Sequence, residues 1–509
     1  MFVVRITGSP FIPSDILNAG TAFNSVKNQN IFSGVLLIGL FFIVLEILFI
    51  YVICRVYGDS EICLAKWNRI VQSFIYGLCI VMMISYVGSL DLLNFKGNLA
   101  YGYVLYFINC FGDFSIDEPE GYYKVDIDTS SGIDSVDSVE VSESNPNVVI
   151  VMSEAFSDLA SVYDLEFNED PIPYFHSLQS EYLNGTVYSS VLGNNTVSSE
   201  FECLTGISTG FSAKGSDVYQ NFWKGRKDIF TIGNLFEDKG YSSVFIHPCV
   251  GENYNRSNIY SQLGYEDTVF LEDFDEDVDK LRTFVTDEVV FSEILNTLQD
   301  TDESTFLMSI TMQNHGRYND EFEIDPRIEL RNMQGEYEDV ENYLSLLKKS
   351  DGALKDFLNS LNDLKEPTVV LFFGDHQPMV DYSFYSECVG VDYNSMGVSD
   401  KESLYKIPYL LWSNYNISSD YEVPEITSMN YLSLILNNYL GNTNSEWLNL
   451  LKDVQKYYPV ITENFVINSD GDILGIDDIK QFILSDDSES SEILRKYWYA
   501  CYSFIAGNK

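Results

Sequence analysis

Thr368-Val-Val-Leu-Phe-Phe-Gly-Asp-His-Gln-Pro378 is the stretch from which the fold can be read. Its opening residues, Thr368 to Phe373, are β-branched or large and apolar, without the alternation of a strand wetted on one face. Such a run predicts a strand buried on both sides, as in a parallel sheet. The run stops at Gly374, and Asp375 and His376 follow at once. Ligands of open α/β sheets sit beyond the carboxyl ends of the strands. A carboxylate and an imidazole at that point make a natural pair of metal ligands. A plain Asp-His turn without metal is the competing reading, and other parts of the chain decide between them.

Working outward, the same pattern recurs. Val148-Val-Ile-Val-Met152 is a second all-apolar run and ends at Ser153-Glu154-Ala155-Phe156. Ser242 to Ile246 reads as a strand ending at His247, and Phe306 to Met312 as one ending at Asn314-His315-Gly316. Thr186 to Leu192 and Tyr409 to Trp412 are also strand-like. Helical spacing is expected over Pro171–Leu183, Ile229–Lys239, Glu288–Leu298, Tyr337–Leu361 and Met429–Leu440. Gly193-Asn194-Asn195-Thr196 reads as a turn leading into a capped helix. Strands alternating with helices predict an α/β fold, a mostly parallel sheet with helices on both faces.

The chain has 509 residues, with 76 acidic against 30 basic side chains and a formal net charge of −46. That sign argues against nucleic acid as a partner. The excess acid reads as a solvated, self-repelling surface. An aromatic content of 15% argues against a disordered chain. The eight cysteines form no CxxC pair and no zinc spacing, so no disulfide framework is expected. Residues 31–57 and 70–87 are apolar and long enough to span a bilayer. Arg55, Lys66 and Arg69 place the short loop between them in the cytoplasm, which sends everything after Ser89 outside the cell. Glu46 within the first span is read as facing the partner helix. Residues 99–111 suggest an interfacial helix, and 113–146 an acidic linker. The catalytic domain is expected over 147–470, and 471–509 look like a small terminal addition.

Glu154, His247, His315, Asp375 and His376 all stand just after predicted strands. Three of the chain's four histidines occupy such ends; His176, the fourth, lies mid-helix and reads as structural. One strand-end histidine alone is usually a satisfied side chain. Convergence of several points to one shared site.

These motifs, in this order, resemble the extracellular catalytic domain of lipoteichoic acid synthases in the alkaline phosphatase/sulfatase superfamily. The resemblance covers Asn147 to about Gly441. It implies that Glu154 is the first metal ligand. Thr196, followed by Val-Ser-Ser-Glu-Phe-Glu, matches the nucleophilic threonine, itself a metal ligand. Asp375 and His376 match the remaining two ligands, and His247, Arg256 and His315 match residues lining a phosphate and glycerol pocket. A threonine hydroxyl is a poor nucleophile unless a cation and a helix N-terminus stabilise its alkoxide. Two carboxylates, an imidazole and an alkoxide suit manganese or magnesium better than zinc, with zinc left open. Arg256 can grip a phosphate through two parallel hydrogen bonds; by itself it would read as a surface salt bridge.

The implied reaction moves glycerol phosphate from phosphatidylglycerol to a polyglycerolphosphate chain or glycolipid at the cell membrane, through a Thr196 adduct. The sequence also departs from the family. Tyr254 stands where a tryptophan is common. Cys249 replaces an acidic residue, for which Glu252 is a candidate substitute, and Val380 replaces a histidine. Two spans stand where the family usually has five, which implies a shortened form or an incomplete gene product. A phosphoethanolamine transferase is the runner-up, and an inactive lipid- or polymer-binding relative is the non-enzyme alternative. A sulfatase is disfavoured, because no cysteine sits in C-x-P-x-R.

Overall fold

The computed structural model describes residues 118–125, 127, 145–212, 218–221, 230–301, 303–319, 322–364, 366–417, 424–441 and 445–506. The expected spans at 31–57 and 70–87 and the interfacial helix at 99–111 lie outside these residues. Among the described residues no helix is long and apolar enough to cross a membrane.

The strands in chain order are β1 (Asn147–Ser153), β2 (Leu183–Tyr188), β3 (Ser242–His247), β4 (Asp267–Phe270), β5 (Lys280–Leu281), β6 (Phe284–Val285), β7 (Thr305–Ile310), β8 (Thr368–Gly374), β9 (Lys406–Ser413), β10 (Ile426–Ser428), β11 (Val460–Ile461), β12 (Phe465–Ile467) and β13 (Ile473–Gly475). Eight of them form one sheet in the order β10-β2-β9-β8-β1-β7-β3-β4. The two all-apolar runs are neighbours at its centre, with Val149 opposite Val370 and Ser153 opposite Gly374. Each is buried along its whole length. Alternate residues feed two separate cores: Val148, Ile150 and Met152 pack on one side, Val149 and Val151 on the other. Burial on both faces explains why neither run alternates.

Within the eight-stranded sheet only β9 runs against its neighbours, antiparallel to both β2 and β8. Its apolar run marks a buried strand but carries no information about direction. The helix expected over Pro171–Leu183 ends at Leu178, and β2 already starts at Leu183. That strand's first four residues are only partly buried, so its amino end lacks the apolar signal that placed the expected strand at Thr186–Leu192.

Residues after 470 are not a peripheral addition. Ile476, Ile479, Ile483, Leu494, Tyr497, Ala500, Cys501 and Ile505 belong to the same core as β1 and β8. Tyr497 stacks on Trp447, ring centroids 5.6 Å apart. Its hydroxyl donates to the carbonyl of Gly206 and receives the N–H of Ser208, both at 2.8 Å. Of the acidic linker, residues 118–125 dock on the last helix, Glu489–Ala506. Tyr499 donates to the carbonyl of Glu120 at 2.7 Å, and the Tyr122 and Ser503 hydroxyls lie 2.8 Å apart.

Candidate metal centre at the strand ends

Gly374 ends β8 because nothing larger fits. A Cβ there would lie 1.9 Å from the carbonyl oxygen of Phe156. The chain leaving β1 crosses β8 at that point, through Ala155 in the left-handed region at φ 50°. This crossing brings Glu154 beside Asp375 and His376. One ligand atom from each lies within 4.8 Å of the others, and all three side chains are buried.

Asp375 is aimed by its backbone neighbours. Oδ1 accepts the N–H of Ala155 at 2.7 Å and of His376 at 2.9 Å. Oδ2 is buried without a hydrogen-bond partner and lies 3.2 Å from His376 Nε2. His376 donates from Nδ1 to the carbonyl of Gln377 at 2.9 Å, which leaves the lone pair of a neutral ring on Nε2. Gln377 is itself fixed: its amide donates to the carbonyls of Ser403 and Lys406, and its oxygen accepts from Tyr163. Burial, and then the charge of Asp375, raise the Glu154 carboxyl to about 8 against the opposing pull of His376 and Arg256. An orphaned buried oxygen, crowded carboxylates and an imidazole with its lone pair inward fit a divalent cation of the Mn2+, Mg2+ or Zn2+ class.

Thr196 is the first residue of the helix Thr196–Thr205 and is half-buried. The residues around it fasten that helix end to the β8 terminus. Ser199, one turn on, donates to the carbonyl of Asp375 at 2.7 Å, and Ser189 donates to the same oxygen at 2.8 Å. Before Thr196, Gly193 (φ 69°) lies so close to Met379 that a Cβ would approach the Met379 Cβ to 2.7 Å.

Arg256 corrects the sequence reading. Its Nε and Nη2 donate to Glu200 Oε2 at 3.0 and 2.7 Å, so the fork expected to grip a phosphate holds a carboxylate. The pair is deeply buried, not a surface bridge; side-chain exposures are 3% and 0%. Tyr260 also donates to Glu200, at 2.7 Å, and the Tyr254 ring lies under the guanidinium, 5.0 Å from centroid to Cζ. Glu200 follows Thr196 by four residues on one helix, hence on the same face. That links the arginine to the threonine's helix. His247 is buried and donates from Nδ1 to the carbonyl of Ile310 at 3.1 Å. Burial, and then the charge of Arg256, push its pKa well down, so the ring is neutral.

His315 is exposed, with Nδ1 donating to the carbonyl of Gly316 at 2.7 Å. Nearby, Asn314 donates to the Glu154 carbonyl at 3.2 Å and to Ser350 at 2.9 Å. Ser350 in turn donates to the buried Asp287. Glu252, considered as a stand-in for the missing acid at Cys249, is exposed; Asn253 is what reaches the Cys249 sulfur, at 3.1 Å. Val380 is buried in the core. His176 is not among the grouped ligands; it pairs with Asp158 and Asp170 at 3.0 and 2.8 Å.

Sequence reasoning missed Glu200, Ser199 and Gln377. Glu200 follows Thr196 at helical spacing, but Glu202 stands two positions on, and spacing alone does not say which of them meets an arginine.

A mostly parallel sheet with two carboxylates and a histidine gathered beyond its strand ends has the architecture of an α/β fold with a candidate metal site. Residues 146–441 match the family model Sulfatase, and the chain belongs to that family, within the alkaline phosphatase superfamily. The chain is 29% identical over 274 residues to a Rhizobium meliloti (strain 1021) relative, covering 53% of this chain and 42% of that one. That relative is named "Putative cyclic beta-1,2-glucan modification protein". With lipoteichoic acid synthase 1 of Bacillus subtilis (strain 168) it shares 24% over 172 residues, 33% of this chain and 25% of the relative. The chain thus spans less than half the length of these curated relatives. Among solved structures it is similar in fold to the Streptococcus pyogenes phosphoglycerol transferase GacH in complex with sn-glycerol-1-phosphate. That likeness has a TM-score of 0.58 and 23% identity, over 72% of this chain and 87% of the other.

Proposed function

We propose that the chain is a metal-dependent phosphoglycerol transferase. In this reading it moves glycerol phosphate from phosphatidylglycerol to a hydroxyl of a cell-envelope polymer or glycolipid. The observation that carries it is the fastening of the Thr196 helix to the carbonyl of Asp375, beside three converging candidate ligands. A threonine stands where sulfatase chemistry needs a modified cysteine or serine, which favours transfer through a stable hydroxyl nucleophile. Glycerol phosphate bound to a solved structure of similar fold, and relatives named for glucan modification and lipoteichoic acid synthesis, support the substrate class.

Glu154, Asp375, His376 and Thr196 would hold the cation. When bound, it would supply positive charge that favours the threonine alkoxide and neutralises the phosphoryl oxygens. Thr196 Oγ forms a bond to phosphorus as the bond from phosphorus to the diacylglycerol oxygen breaks. In this reading His315 takes up the proton lost from Oγ and delivers it to that leaving oxygen. An acceptor hydroxyl then attacks the glycerophosphoryl-threonine, and Thr196 recovers its proton. Neutral His247 accepts hydrogen bonds from glycerol hydroxyls at Nε2. Arg256, held by Glu200 and flanked by Tyr254, contributes fixed positive charge to the phosphate side. The two apolar segments near the amino end would tether the site to the outer face of the membrane, where its lipid substrate resides.

The test is mass spectrometry of the Thr196 peptide after incubation with phosphatidylglycerol or phosphatidylethanolamine vesicles. A glycerophosphoryl adduct is expected. A phosphoethanolamine adduct would reassign the headgroup, and diacylglycerol release undiminished in Thr196→Ala would remove the nucleophile from the proposal.

A further inference from the structure

Beside the strand ends stands the two-stranded hairpin β5–β6. Its turn residue Arg282 has φ 61°, a conformation that an arginine adopts only where its surroundings impose it. The guanidinium donates to three backbone carbonyls of one loop. Nη2 reaches Gln313 at 2.8 Å and His315 at 2.9 Å, and Nη1 reaches Arg317 at 2.9 Å. The same cation lies over Phe284 and Phe322, 5.2 and 5.4 Å from their centroids. Phe284 also carries the His315 ring, with centroids 5.1 Å apart.

The loop is thus held at two points. Asn314 fastens it to the backbone of Glu154, and Arg282 gathers the alternate carbonyls that flank the imidazole. Charge-assisted bonds to three acceptors on a span of five residues define one backbone path, and a flat fork makes them with little further loss of freedom. A lysine, as a point charge without a planar fork, would not span the same three acceptors while keeping its charge over Phe284. We propose that Arg282 is the positioning residue for His315. It fixes the 313–317 loop and sets Phe284 under the ring, and so decides where the imidazole meets the leaving or accepting oxygen. The inference rests on the reading of His315 as a substrate-facing group.

The test uses the full chain in detergent micelles, where four histidines keep the spectrum of 13C-labelled histidine readable. His315→Gln identifies the His315 signal. In Arg282→Ala that signal should move away from its Phe284-shielded position. Release of diacylglycerol from phosphatidylglycerol vesicles should fall on the order of tenfold to a hundredfold in kcat, with a smaller change in KM. Adding Arg282→Ala to His315→Ala should slow the enzyme no further, and Arg282→Lys should recover only part of the loss. Arg282→Gln keeps a planar donor but removes the charge and one arm of the fork, so it tests the same geometry if the alanine variant folds poorly. An unmoved His315 signal in the Arg282 variants, or losses that multiply independently in the double variant, would overturn the inference. An active Thr196→Ala chain is a different result, and sinks the catalytic reading underneath.

Discussion

The hydroxyl of Ser199 donates to the backbone carbonyl of Asp375 at 2.7 Å. That bond ties the first turn of the Thr196 helix to the strand that carries two of the candidate metal ligands. Ser189 donates to the same oxygen, so removing one donor leaves the carbonyl satisfied. Ser199→Ala should therefore cost only about 1 kcal/mol of stability. Transfer should suffer more, because a small displacement of a nucleophile is costly. Denaturant titration and turnover on vesicles measure the two effects. A variant equally active and equally stable would show that the tie is incidental.

Asp375→Asn should abolish stabilisation by divalent cations. In the parent chain, Mn2+ at a hundred times its dissociation constant should add about 2.7 kcal/mol of stability. In the variant the melting temperature should not respond to Mn2+ at all. Because Glu154 and Asp375 repel each other, the metal-free variant should be at least as stable as the metal-free parent. A cation-dependent melting shift that survives the substitution would locate the ion elsewhere.

His176, outside the group of candidate ligands, supplies a pH dependence. Its hydrogen bond to Asp158, reinforced by Asp170 and opposed by burial, raises it from 6.5 to about 9. A raised folded pKa contributes stability that is complete below 6.5 and disappears as pH climbs through about 9. With its side chain 31% exposed, solvent screening limits the contribution to about 1 kcal/mol. His176→Gln should therefore be less stable than the parent at pH 6 and equal to it at pH 10. A gap that is the same at both pH values would rule out the ion pairs as its cause.

Tyr497→Phe should destabilise the chain by about 2 kcal/mol, since the Gly206 carbonyl and the Ser208 N–H lose a buried partner. Turnover should stay within about twofold, because nothing at the strand ends is touched. A neutral effect on stability would return the last helix to the role of an appendage.

The central strands were legible because burial on both faces writes itself as an unbroken apolar run, in Val148–Met152 and Thr368–Phe373. The places just beyond them were legible because a polar residue directly after such a run has few bland explanations; Glu154, Asp375 and His376 were found that way. Direction was not legible: β9, antiparallel to both of its neighbours, is as buried and apolar as the parallel strands β1 and β8. Partner choice was not legible either, since Arg256 meets Glu200 across residues far apart in the chain. The carboxy-terminal helices were misjudged because Tyr497 and Tyr502 look amphipathic in sequence, and only their packing shows them to be core.

The docking of residues 118–125 on the helix Glu489–Ala506 makes the beginning and end of the folded body neighbours in space. Because these two segments lie side by side, residue 118 could be joined to residue 506 and the body reopened in a surface turn, so circular permutants of residues 118–506 should be constructible.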